Sequence, residues 1–266
     1  MTSRILMTGA AGNVGRHLRA SLTSPRWHWR YLDVVGSDRE EDDWITGSFL
    51  DPDVVERAVA GVDAIVHLGG LSTGGYRWEE YAEVNITGTQ RLFEAARRHG
   101  VPRVVYASSH HVMGRSPLER APFDEYEFPQ PDSFYAVSKV AGEALGRLYH
   151  DRHGLDVICL RIGSFRDRPR DFRTLWNWLS PDDCTRLFEA SLLTPHPGFR
   201  VVWGVSRNAT RVMSLAEGEA IGYVPLDDAE RFRDEVSAAP YDLDPDQSRL
   251  MGGAYVAPHF DDLPEG

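Results

Sequence analysis

The stretch Arg4-Ile5-Leu6-Met7-Thr8-Gly9-Ala10-Ala11-Gly12-Asn13-Val14-Gly15 constrains this chain more than any other. A short apolar run gives way to three glycines spaced three apart, and Val14, Leu18 and Leu22 then recur at helical spacing. Strand, glycine turn and helix start, in that order, form the fingerprint of a βαβ unit that holds a dinucleotide. The three glycines allow, respectively, a tight turn, close approach of the backbone to a pyrophosphate, and close packing of helix on strand. The helix start adds amide donors and a positive dipole end. Asp33 stands near the end of the next apolar run, 29–35, about 20 residues beyond the turn, where a carboxylate holds the adenosine ribose hydroxyls. These features predict that Gly9, Ala11, Gly12, Asn13, Val14, Gly15 and Asp33 contact NAD. The Asp33 carboxylate would repel a 2′-phosphate, so NAD is expected over NADP; Arg39, a few residues on, is the one feature that would favour NADP.

The rest of the chain continues the alternation. A strand is expected at 47–51 and a helix from Pro52, which follows Asp51 as a helix-start proline should. A strand at 63–68 closes on Gly69-Gly70-Leu71-Ser72, and a long helix over 78–99 contains Asn85 and Gly88. Strands at 103–107 and 155–162 bracket a proline-rich loop and the helix that carries Tyr135. Beyond it come a charged loop at 166–173, a helix at 181–193, a strand at 198–205 and helical patterns at 217–223 and 227–236. This order predicts an α/β fold: a Rossmann-type doubly wound parallel sheet over residues 1–164, with 165–266 as a small substrate-binding cap on the same domain. Ligands of such sheets bind beyond the carboxyl ends of the strands. The glycine turn, Asp33, Gly69–Ser72, Ser109 and Gly163-Ser164 all fall at such ends.

One helix stands apart in chemistry. Of 29 basic residues, Lys139 is the only lysine and the other 28 are arginine. It follows Tyr135 by four, which places both on one helix face. Arginine is a planar fork and lysine a compact point charge, so the position calls for the latter. A neighbouring ammonium favours a phenolate, and the pair reads as a tuned general base. A net charge of −11 argues against nucleic acid or an anionic membrane as partner. Cys159 and Cys184 are the only cysteines and indicate neither a disulfide framework nor a thiolate metal site. Adjacent His110 and His111 lack a third ligand at useful spacing, so no metal is expected. With no secretory segment at the start and no membrane-length apolar run, the expected location is cytoplasmic.

Taken together, Gly9-x-x-Gly12-x-x-Gly15, Asp33, Asn85, Ser109 and Tyr135-x-x-x-Lys139 resemble the extended short-chain dehydrogenase/reductase superfamily. The resemblance implies NAD as cofactor, with Tyr135 as base, Ser109 as the hydroxyl that polarises the reacting oxygen and Lys139 on the nicotinamide ribose. It extends the cofactor set to Ser48, Phe49, Leu68, Gly69, Gly70, Asn85 and Ile162; Ser48 stands where the superfamily often has an aspartate. Dehydratases of the superfamily carry Asp-Glu after the serine or threonine, where His110-His111 stands here. Further segments are similar to uronate dehydrogenases: His67-Leu68-Gly69-Gly70-x-Ser72, Ser108-Ser109-x-His111, Arg161-Ile162-Gly163-Ser164, Trp178-Leu179-Ser180-x-Asp182-Asp183 and Val201-Val202-Trp203-Gly204.

That resemblance implies oxidation at C1 of a hexuronic acid, glucuronate or galacturonate, to the aldarolactone. Substrate contacts then fall on Ser72, Ser109, His110, His111, Tyr135, Ser164 and Arg173, with Arg173 as the carboxylate's bidentate partner. His110 replaces an asparagine that contacts substrate in that family, and His111 fits either a substrate contact or a loop cap. Three other readings stay open: a C1 dehydrogenase of another sugar or of a sugar phosphate such as glucose 6-phosphate, a nucleotide-sugar epimerase-like enzyme, and a non-catalytic NAD-binding regulator. The helical patterns at 78–99 and 134–153 suit either core packing or pairing in a homo-oligomer.

Overall fold

The computed structural model describes residues 2–37, 43–72, 74–236 and 245–262; Arg39 lies outside the described residues. The first half alternates strand and helix: β1 (Ser3–Thr8), α1 (Asn13–Ser21), β2 (Trp27–Asp33), β3 (Asp43–Thr46), α2 (Pro52–Val59) and β4 (Ala64–His67). A helical stretch follows in three parts, α3 (Trp78–Tyr81), a π-helical segment (Ala82–Thr87) and α4 (Gly88–Arg98). Then come β5 (Arg103–Ser109), α5 (Phe134–His153), β6 (Asp156–Ile162), β7 (Ser164–Phe165), α6 (Thr174–Asn177), β8 (Trp178–Leu179), α7 (Pro181–Leu193), β9 (Phe199–Gly204) and α8 (Ala216–Ala220). Seven strands form one sheet in the order β3-β2-β1-β4-β5-β6-β9, and every pairing is parallel. The order reverses between β1 and β4, which opens a crevice at their carboxyl ends.

The central strands β4 and β5 are largely apolar because the sheet is buried on both faces there, while β2 and β3, toward one edge, are only partly buried. Alternate residues serve opposite cores. Leu6, Ile65, Val104, Val157 and Val201 pack with α2, α4 and α5. Their neighbours Ile5, Met7, Val66, Val105, Ile158 and Val202 pack with α1 and α7. Each such side chain contributes roughly 1.5–3 kcal/mol when fully buried. The period-2 pleat is what divides the two sets.

Two expected strands shift. The edge strand lies at Asp43–Thr46, ahead of the expected 47–51. Residues 47–51 form a turn in which Ser48 Oγ accepts from Leu50 N at 3.1 Å, and Asp51 caps α2 by accepting from Asp53 N and Val54 N. The second strand ends at Asp33, and Val34 and Val35, expected within it, are exposed at 68% and 59%.

The described residues beyond 164 supply part of the sheet as well as a cover. Helix α7 and strand β9 complete the core, while β7 and β8 pair as a small ribbon. A third apolar cluster, including Met113, Phe123, Trp176, Trp203, Met213 and Met251, joins the loop after β5 to the C-terminal segment. That segment runs along the loop: Leu118 N donates to Arg249 O, Met251 N to Ser116 O and Gly252 N to Gly114 O. Among the described residues, no helix is long and apolar enough to cross a membrane.

Candidate active site

The glycine turn packs as its spacing demands. Gly9 has φ of +70°, and a Cβ there would lie 2.7 Å from Gly69 N. A side chain at Gly15 would overlap Gly9 O and Ala10. The turn thus presses against the loop after β4 and opens α1 toward the crevice. Asp33 closes it from the other side: its Oδ2 accepts from Ala11 N at 2.8 Å and its Oδ1 from Val35 N at 3.0 Å. A helix start at the crevice, a backbone no side chain obstructs and a carboxylate at the end of β2 fit a dinucleotide.

A cleft of about 920 Å³ runs from this turn across the ends of β1, β4, β5 and β6. It is lined by Gly9, Ala11, Gly12, Asn13, Val14, Gly15 and Asp33 on the turn side, with Ser48, Phe49, Leu68, Gly69 and Gly70 beside them. Ser72, Ser109, His110, His111, Tyr135, Lys139, Ile162, Ser164 and Arg173 line the rest. Asn85 is the exception. Its amide accepts from Leu71 N and donates to Leu71 O and Ser138 Oγ, all at 2.8–3.0 Å, and it is 1% exposed. It ties the Gly70-Leu71 loop to α5, with both amide donors and one of the two oxygen lone pairs engaged by protein.

Helix α5 sets the reactive pair. Ser133 caps it by accepting from Ala136 N, and Gly154 ends it at φ of +69°. Small residues on its buried face bring it close to the sheet; a Cβ at Gly142 would overlap Tyr106. Tyr135 is hydrogen-bonded to Ser109, whose Oγ also accepts from His111 N at 3.2 Å. Lys139 Nζ donates to Ala107 O at 2.9 Å, and the side chain is buried. Burial governs both groups. It pushes the Tyr135 phenol well above its usual value, against the Ser109 hydrogen bond that lowers it, and pulls Lys139 down to about 8. The expected lowering of the phenol by its neighbouring ammonium is therefore overridden by desolvation, since both groups sit where charge is costly.

The far wall comes from sequence-distant residues. His111 Nδ1 lies 2.6 Å from Asp132 Oδ2, and its ring stacks on Tyr255 at 3.9 Å. Asp132 Oδ1 accepts from Ser133 Oγ at 2.9 Å, and burial, set against that bond, raises the carboxyl to about 6. A Cβ at either Gly114 or Gly252 would overlap the Asp132 carboxyl. Tyr255 stacks in turn on Phe260, and Asp261 Oδ2 accepts from Phe134 N at the start of α5. Arg173 Nε and Nη2 both donate to Met251 O, and Nη2 lies 2.9 Å from His110 Nε2. Asp132 and Tyr255 are not legible as site residues in the sequence. Neither stands in a local pattern, and the packing of Gly252 on Asp132 shows only in three dimensions.

The chain is similar in sequence and fold to several known proteins. The uronate dehydrogenase of Pseudomonas syringae pv. tomato is 41% identical over 261 residues, covering 96% of this chain and 94% of that one. A crystal structure of uronate dehydrogenase from Agrobacterium tumefaciens, a tyrosine-to-alanine mutant complexed with NAD, is 37% identical with a TM-score of 0.89, covering 96% and 97% of the two chains. An NAD-dependent glucose-6-phosphate dehydrogenase of Haloferax volcanii is 34% identical over 254 residues, covering 87% of this chain and 96% of that one. Residues 5–165, from the glycine turn through the tyrosine–lysine helix, match the NAD dependent epimerase/dehydratase family, and the chain belongs to it.

Proposed function

We propose that this protein is an NAD-dependent oxidoreductase that oxidises C1 of a hexuronic acid to the aldarolactone. The observation that carries the reading is the meeting, in one cleft beside the glycine turn, of Tyr135, Ser109, Lys139 and a cationic Arg173. The full-length likeness to uronate dehydrogenases supports it. Gly9–Gly15 and Asp33 would hold the adenosine diphosphate part of NAD, and Lys139 the ribose of its nicotinamide. NAD, when bound, supplies the hydride acceptor.

Tyr135 takes the C1 hydroxyl proton while the C1–H bond breaks and the lactone carbonyl forms; burial opposes its ionised form, which the positive charge of Lys139 and of the nicotinamide, when NAD is bound, would favour. Ser109, beside the Tyr135 hydroxyl, would give its single proton to the oxygen that becomes the carbonyl while its Oγ accepts from His111 N. Arg173 pairs with the substrate carboxylate, and Ser72, His111 and Ser164 line the sugar's place. Both cysteines are free and buried, which supports a reducing compartment such as the cytoplasm. The half-exposed apolar face of Trp78, Phe134 and Val137 supports pairing of α3 and α5 in a homo-oligomer.

Reduction of NAD followed against glucuronate, galacturonate, neutral aldoses and glucose 6-phosphate tests the substrate class. Uronates should be preferred. Arg173→Ala should cut kcat/KM for uronates by about 10-fold to 150-fold, the range for a charge-assisted hydrogen bond of ~1.5–3 kcal/mol, and should spare neutral sugars. Equal loss on both classes would remove Arg173 from the carboxylate. A wild-type preference for glucose 6-phosphate would replace the uronate reading with the sugar-phosphate one, which the Haloferax volcanii relative makes the specific rival.

A further inference from the structure

His110 stands where the resemblance expects a substrate contact, yet both of its ring nitrogens meet protein. Nδ1 lies 3.1 Å from the Ile162 carbonyl oxygen, and Nε2 lies 2.9 Å from Arg173 Nη2 and 3.5 Å from Asn177 Nδ2. A carbonyl can only accept and a guanidinium can only donate. Nδ1 therefore carries the proton and Nε2 offers its lone pair, so one tautomer satisfies both partners. The residue is 4% exposed, which leaves little of the ring for a ligand.

The Arg173 fork is gripped from several sides. Its Nε and Nη2 donate to Met251 O at 3.2 and 2.9 Å, and its guanidinium carbon lies 5.6 Å from the Trp176 ring. Gly253, at φ of +58°, leaves room beside it, since a Cβ there would lie 2.8 Å from Arg173 Nε. The C-terminal segment holds one edge of the fork, and His110 is the acceptor that reaches it from the end of β5.

We propose that His110 is a positioning residue for Arg173: its Nε2 lone pair, directed by the Ile162 carbonyl, aims the guanidinium at the substrate carboxylate, and the imidazole does not itself contact the sugar. The proposal rests on the uronate reading and deepens it. An imidazole serves here because its two nitrogens span β6 and Arg173 with opposite hydrogen-bonding roles. Burial, helped by the neighbouring Arg173 charge, keeps the ring neutral, holding its pKa well below the usual histidine value, which preserves the acceptor.

The test compares His110→Leu, which keeps bulk and loses the acceptor, with His110→Gln, whose carbonyl reaches the Nε2 position. Each is made in the wild-type and Arg173→Ala backgrounds. For glucuronate and galacturonate, His110→Leu should raise KM by roughly 10-fold with a much smaller change in kcat, and His110→Gln should recover most of that loss. A neutral aldose should be affected far less. In the Arg173→Ala background, His110→Leu should cost nothing further, because the arginine through which it acts is gone.

Further loss in that background would mean that His110 contacts the sugar directly, and equal loss on charged and neutral sugars would mean a purely structural role; either overturns the proposal. A wild-type enzyme without preference for uronates would instead overturn the substrate reading, so the two failures are separable. Should His110→Leu not fold, nitrogen-15 spectra of the wild-type histidine side chains decide. A neutral Nδ1-protonated His110 at about pH 7.5 is expected from its two partners, and an Nε2-protonated or doubly protonated ring would sink the idea.

Discussion

Tyr135 and Lys139 share a helix face, but burial sets their protonation. The phenol is pushed well above its usual range while the ammonium falls to about 8, each shift being chiefly desolvation. Tyr135→Phe should leave the melting curve and NAD titration near wild type while turnover falls by about 10²- to 10⁴-fold. Activity within about tenfold of wild type would remove Tyr135 as base. Lys139→Arg keeps a positive charge, yet Nζ sits 2.9 Å from Ala107 O and 3.7 Å from where a Cβ on Gly70 would lie. The fork cannot enter that space, so both NAD affinity and turnover should drop. Asp33 bonds the Ala11 and Val35 amides at the end of β2. Asp33→Ala should shrink the ratio of kcat/KM for NAD over NADP by roughly 10-fold, in line with loss of one charge-assisted bond. An unchanged ratio would assign Asp33 to the turn alone.

At the scale of elements, α5 is the part that most needs anchoring, because it carries both reactive groups. Glu143, one turn beyond Lys139, accepts from Ser108 Oγ at 2.6 Å and takes both arms of Arg161 at 2.9 and 2.8 Å. The three side chains join α5 to β5 and β6 within the core, where Arg161 and Glu143 are 3% and 8% exposed. Breaking such a pair strands the remaining charge away from water. Glu143→Ala should therefore destabilise the fold by about 3–5 kcal/mol, read as a lower urea midpoint. Replacing both partners, Glu143→Leu with Arg161→Met, should restore much of that, since no buried charge is left. If the double variant were as unstable as the single one, packing and not charge would explain the loss.

For the whole molecule, buried neutral histidines should set its behaviour in acid. His67 sits at the end of β4 with Nδ1 2.7 Å from Thr8 Oγ1 and Nε2 3.1 Å from Thr89 Oγ1. Burial, helped by the Lys139 charge, pulls its pKa from 6.5 to about 3. Between those values the unfolded chain takes up a proton that the folded chain refuses. The stability is fully present above pH ~6.5 and is lost as pH falls toward ~3. Asp132, raised to about 6, opposes this between pH ~6 and ~4, and His110 adds to it. From about pH 7.5 to about pH 5, His67 alone should lower the unfolding free energy by about 2 kcal/mol. Urea titrations at the two pH values check this, and His67→Gln should flatten the difference. A pH difference as large in His67→Gln as in the wild type would show that His67 takes up its proton alike in the folded and unfolded chain.

Sequence alone determined the parts whose information is local. The glycine turn follows from three glycines at fixed spacing, and the start of α2 from Asp51-Pro52. The span of α7 at Pro181–Leu193 follows from its apolar periodicity behind Ser180. In each case neighbouring residues hold the decisive interaction. The tertiary structure decided what depends on a distant partner or on exclusion of water. The edge strand β3 is short and half-exposed, so its pattern is faint and its pairing with β2 places it. Asn85 reads in the sequence as a cofactor residue, and its bonds to Leu71 and Ser138, which tie a loop to α5, show only in three dimensions. The protonation of Tyr135 depends on burial, which a four-residue spacing does not convey. His110 finds Arg173 across 63 positions and Ile162 across 52, and the roles of its two nitrogens follow only from what stands opposite each.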